Sequence, residues 1–388
     1  MKIRFGLLPR VIVAIALGIL CSLFFPEWLT RVFVTIEGLF GNFLSFIIPL
    51  LILGLVAPGI ADMGKGAGKL LIITVLIAYA STIFAGYFSY FTCKFSYPLI
   101  LHQSSSFSLL SISEGEHISS YFNIAMPPLF GVMSALVFAF MLGIGAAVTK
   151  STTITVVLSE FREIINLIIK RVLIPLLPIF IFCIFLRLGQ EGQVANVLKL
   201  FVRVIAVIFA MHIVFLIVQF IIAGAITGKN PFRALFNMFP AYFTALGTQS
   251  SAATIPVTLE QTRKNGVDTG ISSFTVPLCA TIHLAGSTLK IVACAYAIMW
   301  MLGMEINIGL YTSFIFMLAV TMVAAPGVPG GAIMAALAVL DQVLGFDQTI
   351  QALMIALYIT MDSFGTACNV TGDGAIAMIV NKIYKEAE

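Results

Sequence analysis

Runs of about 20 apolar residues recur along this chain, and each, once in a bilayer, must satisfy its backbone hydrogen bonds internally. They fall near 8–28, 36–60, 68–96, 122–149, 162–187, 198–227, 268–301 and 348–383. Only helices or closed barrels meet that demand, and runs of this length are helical. The expected fold class is therefore an all-α polytopic membrane protein with eight transmembrane helices. Composition agrees: 60% of residues are hydrophobic and 10% charged, against roughly 25% charged in soluble domains. A net charge of +4 is too weak a balance for nucleic-acid binding and serves orientation instead. The six cysteines show neither CxxC spacing nor a nearby histidine ladder, so neither zinc nor a disulfide framework is indicated. Lys2, Arg4 and Arg10 before Val11–Phe25 imitate a secretion signal, but no small-residue cleavage site follows, so the run reads as a first membrane helix.

Lys65, Lys69, Lys150, Arg162, Lys229, Arg233, Arg263, Lys264, Lys382 and Lys385 fall at ends that strict alternation from a cytoplasmic N-terminus places inside. Both termini are then expected on the cytoplasmic side of the cell's inner (plasma) membrane. The Ser-rich stretch 101–120 becomes an extracellular loop.

Two further apolar segments are interrupted. Pro231–Glu260 contains Gly247-Thr248-Gln249-Ser250-Ser251-Ala252-Ala253-Thr254-Ile255-Pro256, and Leu310–Leu344 contains Ala325-Pro326-Gly327-Val328-Pro329-Gly330-Gly331. A straight helix through either would lose backbone bonds in lipid, at several kcal/mol for each. Re-entrant helical hairpins avoid that loss, with a second helix able to begin at Pro256. Each hairpin precedes a span with polar residues at mid-depth, His283–Lys290 and Asp362–Asp373. A broken hairpin followed by a polar helix, twice over, is the repeat pattern of transporters that bind at the bilayer midplane.

Asp362, Thr366, Asn369 and Asp373 stand at offsets 0, 4, 7 and 11, which fall on one narrow helical stripe. Intramembrane carboxylates mark function by default and need a cation, a ligand or water. The hydroxyls of Thr248, Ser250, Ser251 and Thr254 either cap a turn or, with free N–H groups, meet a carboxylate. His283 is either a satisfied structural residue or a proton carrier. Lys290 precedes eleven residues of apolar helix and cannot snorkel, so it needs an internal partner: Asp362, Asp373 or a substrate carboxylate. An intramembrane aspartyl protease is excluded, because Asp362 and Asp373 lie about 16 Å apart on one helix.

On these residues the chain resembles the glutamate transporter family, the dicarboxylate/amino-acid:cation symporters, as an atypical bacterial-like member. Thr248-Gln249-Ser250-Ser251-Ala252-Ala253-Thr254-Ile255-Pro256-Val257-Thr258 is similar to the family's first hairpin, Gly327-Val328-Pro329-Gly330 to its second, and Asp362 through Asn369-Val370-Thr371-Gly372-Asp373 to its last helix. The resemblance implies an inverted-repeat elevator fold in a homotrimer. A scaffold would comprise 1–65 and 121–196, and a transport domain 66–100 and 197–388, with hairpins at 231–262 and 309–345. Substrate contacts would come from Ser250, Ser251, Ser287, Lys290, Val328, Gly330, Asp362, Gly365, Thr366 and Asn369. Ser251 and Asn369 would hold the α-carboxylate, and Asp362 the α-amino group. Ser81, Thr82, His283, Val323, Ala325, Asn369 and Asp373 would serve ion coupling, with Asp373 and Asn369 as sodium ligands. The activity implied is secondary symport of a small amino acid or dicarboxylate, coupled to sodium, protons or both. No enzyme activity and no organic cofactor is implied; the partners are the small-molecule substrate and membrane lipid.

Two departures from the family pattern bear on mechanism. His283-Leu284-Ala285-Gly286-Ser287 stands where the family usually has Asn-Met-Asp-Gly-Thr, which removes an amide and a carboxylate used for sodium. His283 is therefore expected to replace one bound sodium by protonation. Gly365 stands where acidic-substrate members carry an arginine, while Lys290 takes an aromatic's place on the facing helix. Lys290 then either binds an acidic side chain or pairs with Asp362. The competing class, a passive channel or uncoupled facilitator, has no need of paired gates.

Overall fold

The computed structural model describes residues 7–63, 69–101, 118–192, 194–323, 325 and 330–386. Among them the only regular structure is helix: α1 (Leu7–Ser22), α2 (Glu27–Met63), α3 (Lys69–Ile100), α4 (Val132–Thr149), α5 (Thr152–Ile168), α6 (Ile174–Gln190), α7 (Val194–Thr227) and α8 (Pro231–Asn237) in the first part. There follow α9 (Phe239–Thr248), α10 (Ser251–Lys264), α11 (Thr269–Ile282), α12 (Ala285–Met301), α13 (Ile308–Val323), α14 (Gly331–Leu344), α15 (Gln348–Thr360) and α16 (Asp362–Glu386). Large apolar side chains such as Leu23, Phe95, Leu99 and Val148 point outward, Leu99 with 82% of its surface exposed. An outer surface of that kind suits lipid rather than water, and the chain is an integral membrane protein.

Five stretches among the described residues are long and apolar enough to cross a bilayer: Glu27–Ala61, Lys69–Ile100, Thr152–Gln190, Leu198–Thr227 and Thr269–Met301. A sixth is counted if α15 and α16, bent by 63° at their junction, form one span. The expected spans 8–28 and 122–149 are shorter helices, α1 and α4. At 1.5 Å per residue the 16 residues of α1 reach about 24 Å, less than the ~30 Å hydrocarbon core. The expected spans 36–60 and 162–187 grow instead. Helix α2 starts at Glu27 and carries Pro49 and Pro58 inside it. Helices α5 and α6 join through a π-turn, Ile169–Leu173, in which the Ile174 N–H bonds Ile169 C=O five residues back. The wider turn lies just before Pro175, in the first turn of α6, and Pro178 lies inside that helix.

Two expected spans are broken. The 268–301 run unwinds at His283 and Leu284 (φ −104° and −113°), and the 348–383 run at Met361 (φ −115°). At the first break Asn369 of α16 accepts the N–H groups of Gly286 and Ser287 that open α12, and at the second Lys290 Nζ of α12 donates to Tyr358 C=O.

Helices α1, α2, α4, α5 and α6 pack on one another, while α3, α7 and α9–α16 gather around α12 and α16. Ser89 Oγ donates to Leu289 C=O (2.8 Å) and Tyr97 OH to Ala293 C=O (3.2 Å), holding α3 against α12. In the other group Arg187 forks onto Glu37, with Nη2 and Nε at 2.8 and 3.2 Å from its two oxygens. That bidentate geometry makes a buried charge pair tolerable.

The first hairpin is tighter than its sequence suggests. Helices α9 and α10 pack together across a turn of two residues, Gln249 in the left-handed region (φ 54°) and Ser250. Helix α10 starts at Ser251, not at Pro256, because Ser250 Oγ accepts the Ala253 N–H (3.3 Å) and caps it. Pro256 sits in the second turn of α10, where its missing N–H leaves the Ala252 C=O without the i+4 donor. In the second hairpin α13 and α14 also pack together. Residues 324 and 326–329 of its tip, Val328 among them, lie outside the described residues, as do 102–117 of the expected outer loop.

Candidate functional site

Helix α16 is the axis of the site. Asp362, Thr366, Asn369 and Asp373 all lie buried on it, and helices α12, α3, α7, α15 and the second hairpin bring polar groups to its length. Two networks result.

The first surrounds Asp373. Its Oδ1 meets His283 Nδ1 at 2.9 Å, and His283 Nε2 lies 3.0 Å from Ser81 Oγ, which accepts from Gln219 Nε2 at 3.0 Å. His283 and Asp373 are 0% and 1% exposed. The break between α11 and α12 falls at His283 and Leu284, and the His283 ring there lies against Asp373 of α16. With a neutral imidazole the donors run in one direction, Gln219 to Ser81 to His283 to Asp373. With an imidazolium, Nε2–H donates to Ser81, whose hydroxyl proton must turn elsewhere. Asp373 Oδ2 and Gln219 Oε1 are buried without a hydrogen-bond partner, so the chain keeps acceptor capacity at both ends.

Gly372 makes this arrangement possible. A Cβ there would lie 2.8 Å from Gln219 Oε1 and 3.0 Å from His283 Cε1. Gly372→Ala should therefore push Gln219 off Ser81 and destabilise the protein by about 1–3 kcal/mol. Thermal unfolding of the purified protein checks this, and the cost should shrink in a Gln219→Ala background.

The second network joins the start of α12 to the second hairpin. Asn369 Oδ1 accepts the N–H groups of Gly286 (2.8 Å) and Ser287 (3.2 Å), so a side chain of α16 caps the N-terminus of α12. Asn369 Nδ2 and Tyr358 OH both donate to Ser287 Oγ, at 3.0 and 3.1 Å. The Lys290 ammonium stands 3.4 Å from Asp362 Oδ1, 3.3 Å from Tyr358 C=O and 3.3 Å above the Tyr358 ring. Asp362 Oδ2 accepts the Gly330 N–H at 2.7 Å. Gly330 has φ 74°, a conformation open to glycine, and so aims its amide at the carboxylate. Lys290 is fully buried and Asp362 nearly so, so removing either one would leave the other buried without its partner.

Several expected residues thus meet: Ser81 with His283 and Asp373, and Ser287 with Asn369, while Lys290, Asp362 and Gly330 form the other contact. Of the two alternatives for Lys290, the structure contains the pair with Asp362. Gly365 lies beneath it, with a hypothetical Cβ only 3.0 Å from Lys290 Nζ. Thr82 and Thr366 instead bond carbonyls of their own helices, Ala78 and Asp362. Ser250 and Ser251 stand at the start of α10, which packs on α16. Val323 ends α13 and Ala325 is buried beyond it.

Sequence reasoning missed three participants. His212 Nε2 contacts Gly286 C=O at 3.0 Å, Gln219 anchors the first network, and Tyr358 forms one wall of the second. His212 and Gln219 are seven apart in an otherwise apolar run, which puts both on one face of α7; that spacing was the available signal. Tyr358 carried none, since an aromatic in an apolar run looks like core.

The sequence profile described as Sodium:dicarboxylate symporter family matches residues 7–383. The chain is similar to the serine/threonine transporter SstT of Acinetobacter baumannii, 26% identical over 384 residues that make up 95% of each chain. It is also similar to human excitatory amino acid transporter 2, 29% identical over 259 residues, covering 63% of this chain and 44% of that one.

Proposed function

The chain belongs to the sodium:dicarboxylate symporter family, and from that premise we propose a site and a coupling mode for its transport of amino acids. It is a secondary symporter, not an enzyme. The observation that carries the reading is the meeting of two broken helices at buried charge: the α11/α12 break delivers His283 to Asp373, and the α15/α16 break delivers Asp362 to Lys290 and Gly330. Interrupted helices with polar groups at their ends, deep in an apolar body, are how transporters bind solutes and ions.

The substrate site is the second network, with Ser250, Ser251 and Val328 contributed by the hairpin tips and Ser287, Lys290, Gly330, Asp362, Gly365, Thr366 and Asn369 around it. Ions couple at the first network through Ser81, Thr82, His283, Asn369 and Asp373, with Val323 and Ala325 at the gate side. Residues 1–65 and 121–196 act as a scaffold along which 66–100 and 197–388 move as an elevator; the two packing groups of helices support this division. The assembly is a homotrimer in the inner (plasma) membrane with cytoplasmic termini. The serine/threonine transporter among its relatives supports a small amino acid as substrate.

A proton takes the place of one sodium at His283. Asp373 already has an imidazole against Oδ1, and Asn369 Oδ1 already accepts two N–H groups, so each of the two expected sodium ligands has one oxygen engaged. Proteoliposomes containing the full chain should accumulate a labelled amino acid against its gradient. An inward proton gradient should raise uptake, and His283→Asn should abolish that response while leaving a sodium-driven component. Equilibration without accumulation would instead identify a facilitator or channel.

A further inference from the structure

We propose that Gln348 and Thr349, at the start of α15, latch the transport group of helices to the scaffold group and fix one stop of the transport stroke. This rests on the elevator reading above and names the side chains that position its moving part.

The two groups meet through apolar helices: α13 and α14 lie against α2, and α15 lies against α1 and α6. Apolar contact is non-directional and survives sliding, so it selects no single position. Hydrogen bonds are directional and do not survive it. A pair of them joins adjacent residues of α15 to the scaffold. Gln348 Nε2 donates to Asn42 Oδ1 of α2 at 3.2 Å, and Arg187 Nη2 of α6 donates to Thr349 Oγ1 at 3.3 Å. Gly41 makes room for the first bond, since a Cβ there would lie 2.7 Å from Gln348 Cδ.

The scaffold half is built in advance. Asn42 Nδ2 donates to Asn123 Oδ1 and Ile124 C=O, which turns Oδ1 towards α15, and Arg187 is forked onto Glu37. The moving half brings an amide and a hydroxyl, both neutral and both half-buried. Parting the halves strands no charge, because Arg187 keeps Glu37. Both bonds also lie at the long end of the ordinary range. Each favours this position by about 5-fold, enough to define a stop and little enough to be broken in every cycle.

The test has two arms, both on the full chain in lipid. In the first, spin labels at Val157 of α5 and Glu260 of α10, both exposed, report the separation of the groups by pulsed electron resonance, with labelled chain diluted in unlabelled chain. The separation found in this structure should lose about 5-fold in population, relative to other separations, in Thr349→Val and in Gln348→Ala. Thr349→Ser, which keeps the hydroxyl, should match wild type. Gly41→Ala should shift the population in the same direction while giving α2 a better helix former, so it decides the matter if an α15 variant does not fold. In the second arm, Asn42→Cys and Gln348→Cys are combined and bridged by mercury(II). Uptake should stop and should return when a thiol removes the metal, with wild type treated alike as the control. Uptake that stops on bridging, while Thr349→Val, Gln348→Ala and Gly41→Ala leave the population unchanged, overturns the latch and leaves the elevator reading standing. Uptake that continues in the bridged protein overturns both.

Discussion

Lys290→Met should destabilise the folded protein by about 3–5 kcal/mol, the cost of leaving one buried ion without its partner. Asp362→Asn should cost a comparable amount, since it strands the ammonium over the Tyr358 ring and weakens the acceptor of the Gly330 N–H. The double variant should recover to within about 1 kcal/mol of wild type, because a neutral pair of similar volume carries no desolvation penalty. Reversible unfolding in mixed micelles checks all three. A Lys290→Met variant as stable as wild type would mean that Asp362 is compensated by some other group. The double-mutant cycle isolates the pair's coupling from the packing that each side chain also provides.

Gly286→Ala should be at least as damaging as an overpacked core site allows, about 3 kcal/mol or more. A Cβ there would come within 2.6 Å of Cys368 Cβ and 2.9 Å of Gly365 C=O, so helices α12 and α16 would have to separate. Separation lengthens the bonds from Gly286 and Ser287 N–H to Asn369 and breaks the cap of α12. Gly365→Ala provides the contrast. Its Cβ meets the end of Lys290, Nζ at 3.0 Å and Cε at 3.3 Å, with Ser287 Oγ in ordinary contact at 3.8 Å, and a side-chain end can yield where backbone cannot. Gly365→Ala should remain folded while Gly286→Ala yields little folded protein, as measured by monodisperse recovery in detergent. Equal behaviour of the two variants would show that the approach of α12 to α16 is not the constraint.

Much of this was legible before any coordinates. The stripe of Asp362, Thr366, Asn369 and Asp373 follows from helical periodicity alone, and α16 carries all four buried. Lys290 was bound to need an internal partner because eleven apolar residues follow it. The interruptions around Gln249 and Gly330 marked the two hairpins, since unpaired backbone in lipid is costly. Less legible were the breaks at His283–Leu284 and Met361. The Gly286-Ser287 interruption lies in the first segment but does not say what takes up the freed backbone: Asn369 of α16, more than 80 residues away, accepts there, and Lys290 of α12 donates to Tyr358 C=O before the second break. The start of α10 was misplaced for a similar reason: Pro256 looks like a helix start, but the Ser250 hydroxyl had already capped one.

Composition and periodicity, being local, determined that the chain lives in lipid, that its backbone is helical, and that its few deep charges could not stay unpaired. Which charge meets which was beyond their reach. Asp362 and Asp373 share one face of one helix and one chemistry, yet one is matched to an ammonium and a hairpin amide and the other to an imidazole. That choice depends on where two helices unwind, and on how closely α12, α3, α7 and the second hairpin approach α16. Such distances are set by packing between segments far apart in sequence, so the tertiary structure alone decided them.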